Sequence, residues 1–240
     1  MTLIHQGLTV AGLTCQRQQR LLFQAISFQL APGDLLLIEG PNGSGKSSLL
    51  RLAAGLSLPM QGEITWHGRS IAEYAPEYYR DLHYIGHSQG VKLGLTVEEN
   101  LRLAGVVLSS RGLTAGPSVF SGKALDPAVK PRDDSNTLSA LSKKIDDILH
   151  QLQLFSSKKA LANTLSAGQK RRLALAKLFL IPKPLWMVDE PFTALDTHSQ
   201  TIFLHHLRAH LQAGGICLLS SHHDLSYLDL KYQHLRLESC

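Results

Sequence analysis

The segment Asp34–Ser48, DLLLIEGPNGSGKSS, leaves the chain few folds to choose from. Its first half is a short unbroken apolar run, the pattern of a strand buried on both faces. Its second half, Gly40-Pro41-Asn42-Gly43-Ser44-Gly45-Lys46-Ser47, matches G-x-x-x-x-G-K-[ST] and runs into the helical sequence SSLLRLAAGL. Strand, glycine turn and helix N-terminus in that order build a phosphate cradle. The glycines let the backbone fold back so that successive N–H groups, through Ser48, converge on one anion, and the helix adds its positive end. Lys46 is placed to neutralise β- and γ-phosphate oxygens, and the Ser47 hydroxyl to ligate Mg²⁺. ATP with Mg²⁺ is the expected ligand pair.

A second buried run, PLWMVDE at 184–190, brings Asp189 and Glu190 to the carboxyl end of a strand, where ligands bind in open α/β sheets. Asp189 is expected to hold Mg²⁺ through water, and Glu190 to polarise the attacking water. A third run, GICLLSS at 215–221, completes a core of buried strands alternating with helices, which implies a largely parallel sheet. The segments 8–15, 25–30 and 62–68 alternate apolar and polar residues instead, as half-buried antiparallel strands do.

Residues 96–108 and 138–155 show helical spacing of Leu, Ile and Val. Between them, 109–136 is rich in Gly, Pro, Ser and charge and reads as a mobile surface insertion. With 240 residues, 44% of them hydrophobic, the chain suffices for one well-buried domain. The expected division is a catalytic core over about 1–86 and 164–240, with a helical subdomain over about 87–163. The net charge of +5 suits a nucleotide, an anionic membrane surface or nucleic acid without choosing among them. Three isolated cysteines point to neither a disulfide framework nor a zinc site. The most apolar long stretch, 173–188, is broken by Lys177 and Pro182 to Pro184 and is no 20-residue membrane span. His205, His206 and His210 read as a solvated helix face.

Three further motifs resemble those of the ABC ATPases, and with the phosphate cradle they cover nearly the whole chain outside the insertion. Leu165-Ser166-Ala167-Gly168-Gln169 resembles the family's LSGGQ signature, Pro191 to Asp196 its D-loop, and Ser221-His222 its switch histidine. The resemblance implies an α/β P-loop NTPase fold of ABC-ATPase type, with a mixed sheet core, a small antiparallel β subdomain and a helical subdomain. It implies a head-to-tail homodimer with ATP at the interface. There Ser166, Gly168, Gln169 and Asp196 would serve the nucleotide held by the other protomer, and His222 would join Lys46 and Glu190 as catalytic groups. The helix opened by Ser166 and Gly168 presents a hydroxyl, a bare N–H and a dipole to that anion. The family's adenine-stacking aromatic is missing, and Arg17 stands near its place.

The stretch Tyr84–Asn100, YIGHSQGVKLGLTVEEN, resembles one subgroup. The family's glutamine sensor falls at His87 in this register, with Gln89 two residues later. I-G-H-x-x-G-x-K before LTVEEN, LSAGQ-x-RR and the short C-terminal HLRLE are similar to ATP-binding subunits of the cytochrome c biogenesis system. That implies a peripheral ATPase on the cytoplasmic face of a bacterial inner membrane, bound to integral membrane permease subunits and driving a haem export or delivery step. No nucleic-acid partner and no direct haem binding are expected. The alternatives are the ATP-binding subunit of another ABC transporter, or a soluble ABC ATPase acting on nucleic acid.

Overall fold

The computed structural model describes residues 7–87, 90–109, 134–221 and 230–238. Two sheets organise them. β1 (Leu8–Arg17), β2 (Arg20–Leu30), β4 (Gln61–Trp66) and β5 (Arg69–Ser70) form an antiparallel sheet in the order β2-β1-β4-β5. β3 (Leu35–Glu39), β6 (Leu82–Ile85), β7 (Leu185–Asp189), β8 (Ile216–Ser221) and β9 (Gln233–Arg236) form the second, in the order β6-β7-β8-β3-β9. Every pair described in this second sheet is parallel. The expected mix of parallel and antiparallel pairing therefore lies between the two sheets rather than within the core sheet.

The continuous apolar runs are explained by burial on both faces. Leu35, Leu37, Trp186, Val188, Cys217 and Leu219 point into one core. The alternate residues Leu36, Ile38, Leu185, Met187, Ile216 and Leu218 point into the other. The first core is closed by α3 (Val97–Ser109), α4 (Asp134–Gln151), α5 (Ala167–Leu180) and α6 (Thr197–Gln212). The second is closed by α1 (Lys46–Ala53), α2 (Ala75–Asp81) and the antiparallel sheet. Ligand-facing strand ends are thus held between two dry layers, each pinning the same three central strands.

Several expectations shift. α4 begins at Asp134 and ends at Gln151, four residues earlier at each end than the apolar spacing suggests. Gln153 takes a left-handed φ of 53°, so the chain breaks there and Phe155 opens a separate 3-10 turn. Of the expected insertion 109–136, Ser109 closes α3 and residues 134–136 open α4, while 110–133 lie outside the described residues. The α6 histidines do not form a solvated face. His206 stacks on Phe179 at 3.9 Å and His210 on Trp186 at 4.0 Å, and burial pushes both imidazoles below their usual pKa. Only His205 of the three is exposed.

Candidate active site

The cradle is shaped by its neighbours. Gly40 (φ 151°) has no room for a side chain: a methyl there would meet the Leu237 carbonyl and lie 2.7 Å from the Ser44 hydroxyl. Gly45 takes φ 101° as the residue preceding α1, with Phe23 and Leu22 of β2 packed against it. Only glycine adopts that conformation cheaply. No side chain caps α1, so its first turn offers bare backbone. The Lys46 side chain is buried and folds into the loop, where its ammonium donates to the carbonyls of Gly40 at 2.8 Å and Pro41 at 3.2 Å. The Ser44 hydroxyl is buried there with no protein partner. Asn42, Gly43 and Ser47 are exposed at the mouth, and Ser48 is half-buried behind it.

The end of β7 brings Glu190 to this mouth. The Glu190 carboxylate lies 3.8 Å from the Lys46 ammonium. Its backbone takes φ 51°, a left-handed turn that costs a non-glycine residue about 1–3 kcal/mol. The turn is pinned from β8: the Glu190 N–H donates to the Ser220 carbonyl at 3.2 Å and the Ser220 hydroxyl at 2.9 Å. Asp189 is buried, and its Oδ1 accepts the Ser220 hydroxyl proton at 2.5 Å. Lys46 and Glu190, far apart in sequence, therefore lie side by side, with Asp189 buried next to Glu190 in the chain.

The signature helix is tied to the same strand end by the first arginine of LSAGQ-x-RR, to which the sequence reading gave no site role. Arg171, one turn into α5, is 3% exposed; its guanidinium donates to the backbone carbonyls of Asp189 and Pro191. Burial lowers its pKa, opposed by Asp189 and Glu190. A charge at a position of α5 that faces the core was the signal for this tie. Ser166 caps α5: its hydroxyl accepts from the Gln169 N–H at 3.2 Å, and the Gln169 side chain accepts from the Ser166 N–H at 2.9 Å. Gly168 lies under the Ala194 carbonyl, where a β-carbon would approach to 2.8 Å. Asp196 caps α6 through Ser199 and lies 3.8 Å from Arg172. Ser199, through its side chain and then its amide, holds the Asp196 carboxyl below the usual range.

Other expected residues fall elsewhere. Arg17 ends β1, exposed and opposite Arg20 across the Gln18-Gln19 turn. That hairpin reaches the cradle through Leu22 and Phe23 instead. His87 is exposed just beyond β6. Gln89 and His222 lie outside the described residues. Downstream, Asn100 is buried and staples the segment 92–96: its Oδ1 accepts the Lys92 N–H, and its amide donates to the carbonyls of Lys92 and Thr96.

The ABC transporter family model matches residues 23–193, a span that holds the cradle, the signature and the β7 carboxylates. The chain belongs to the ABC transporter family. It is 40% identical over 218 residues to a cytochrome c biogenesis ATP-binding export protein of Methylococcus capsulatus, covering 91% of this chain and 92% of the relative. It is 40% identical over 230 residues to one of Pseudomonas putida, covering 96% of each. A third, from Yersinia pestis, is 38% identical over 218 residues. The chain is therefore a member of the cytochrome c biogenesis ATP-binding export protein family, and an ATPase. Among solved structures, an ATP-binding subunit of an ABC transporter superposes with a TM-score of 0.72 at 24% identity, over 90% of this chain and 80% of that one. A dimeric ATP-binding cassette in a post-hydrolysis state with ADP and Pi gives 0.73 at 19%, over 97% and 96%. These establish the shared fold.

Proposed function

We propose that this ATPase is the ATP-hydrolysing subunit of a membrane complex for c-type cytochrome biogenesis, and that hydrolysis drives a haem export or delivery step. The observation that carries the catalytic half is the meeting of Lys46, at the start of α1, with Glu190, just past the end of β7. The near-full-length relatives carry the cellular half.

The chemistry follows from the geometry. Backbone amides of the glycine loop and of the uncapped first turn of α1, with the Lys46 ammonium, bind the β- and γ-phosphates, which replace the loop carbonyls as partners of the ammonium. Glu190, beside that ammonium, accepts the proton of the attacking water. Mg²⁺ fits the donor set: the Ser47 hydroxyl and the Asp189 carboxylate are hard oxygens, and the buried Ser44 hydroxyl marks a polar cradle. Once bound it would neutralise charge between the β- and γ-phosphates. A second copy, head to tail, presents Ser166, Gly168 and Gln169 to the γ-phosphate, with Asp196 and His222 at the same interface. ATP favours the closed pair because only that pair makes both sets of contacts.

The membrane side has its own candidate surface. A cavity of about 350 Å³ opens between α2, α3 and α5, lined by Arg80, Lys92, Lys177 and Lys183, with no carboxylate among the described lining residues. Burial and the Lys92 charge lower the Lys177 pKa. Tyr79 and Leu103 give it an apolar, exposed rim. Such a groove suits a carboxylate-bearing segment of an integral membrane subunit at the cytoplasmic face of the inner membrane. No described helix is long and apolar enough to cross a membrane itself.

Complementation tests the whole reading. In a strain lacking this gene and short of c-type cytochromes, the wild-type chain should restore haem-stained cytochrome c. Glu190→Gln should bind ATP, lose about a hundredfold or more in turnover, and fail to restore it. Restoration by the inactive variant, or none by the wild type, would end the proposal.

A further inference from the structure

The geometry points to Ser220 as a positioning residue that sets the orientation of both β7 carboxyl groups. This rests on reading Asp189 and Glu190 as the metal-facing and water-facing carboxylates. β8 reads ICLLSS and is buried at every position, so a hydroxyl inside it must find its partners within the protein. Ser220 is fully buried and finds two. Its proton goes to Asp189 Oδ1 at 2.5 Å, and its oxygen accepts the Glu190 N–H at 2.9 Å.

Each bond fixes something different. The first ties down one carboxylate oxygen of Asp189 and so fixes the rotation of that carboxyl group. The second, with the Ser220 carbonyl, holds the left-handed turn that aims the Glu190 side chain back toward Lys46. Ser220 pairs with Asp189 across the β7–β8 ladder and lies two residues before His222. One side chain therefore joins the strand carrying the carboxylates to the strand leading to the switch histidine.

The test compares Ser220→Ala, Ser220→Cys and Ser220→Thr in the full chain. Ala and Cys should lower kcat by about ten- to a hundredfold, the range of one charge-assisted hydrogen bond, with KM for ATP within about twofold. Thr, which keeps the hydroxyl, should restore most of it. Ala and Cys should also raise the Mg²⁺ concentration needed for half-maximal binding of fluorescent ADP, a readout independent of turnover. Cys keeps the volume with only a weak donor, so it reports even if Ala fails to fold. Wild-type kcat and Mg²⁺ dependence in folded Cys or Ala protein would overturn the proposal, as would equal losses in Thr. If Glu190→Gln kept full turnover, the reading beneath it would fail instead, whatever Ser220 did.

Discussion

The two helices proposed to face phosphate begin in opposite ways. α1 starts from a left-handed glycine with no side-chain cap. α5 starts from a complete capping box, with Ser166 and Gln169 serving each other's backbone. The first arrangement leaves amide donors for a ligand and surrounds them with fixed neighbours, among them Phe23, Leu22 and the Leu237 carbonyl. The second satisfies its own terminus, so α5 is stable before any anion arrives. The difference suits their proposed tasks. α1 grips nucleotide within its own chain, whereas α5 waits, exposed, for a phosphate brought by a second copy.

The sharpest way to break that comparison is at the cradle. Lys46→Ala removes the charge that converges with the α1 amides, and the affinity of the isolated chain for ATP should fall by about a hundredfold or more. Titration with fluorescent ATP reads this directly. Unchanged affinity would mean that the loop amides alone hold the nucleotide.

Next comes the tie between the two helices' surroundings. Arg171→Met leaves the buried carbonyls of Asp189 and Pro191 without their donor, at about 1–3 kcal/mol each. The melting temperature should drop by about 5–10 °C, with turnover of the folded fraction reduced as β7 loosens. Arg171→Lys should fall between, because one ammonium cannot serve both carbonyls in a fixed fork. A melting temperature within a degree of wild type in Arg171→Met would show that α5 and β7 are held by apolar packing alone.

Legibility in the sequence tracks how local each contact is. The cradle was readable because its partners are contiguous: Lys46 bonds to Gly40 and Pro41 within one loop. The β7 carboxylates were readable because an apolar run stops at them. Arg171 and Ser220 were not, because each acts across 18 or more residues through a strand end placed by the fold. α2 was missed because its seven residues are too short for a period and carry proline at the start. His206 and His210 misled for another reason. Their spacing marks one helix face, but hydropathy counts imidazole as polar, while a neutral ring stacks on Phe179 and Trp186 as a flat apolar surface.

The smallest effect discriminates best between the two helix starts. Ser166→Ala removes the acceptor for the Gln169 amide and should cost about 1 kcal/mol of stability, a shift of about 2–4 °C in melting. Gln169→Ala removes the reciprocal acceptor, less central to the cap, and should cost a few tenths of that. Neither should alter ATP affinity of the isolated chain, because the cap lies on α5 and not in the cradle. Both should reduce ATP-dependent dimerisation by Glu190→Gln protein, followed by size-exclusion chromatography, with Ser166→Ala the stronger. If either weakened ATP binding at protein concentrations where no dimer forms, the nucleotide would be touching both helix starts within one chain. The division of labour between an uncapped and a capped terminus would then have to be given up.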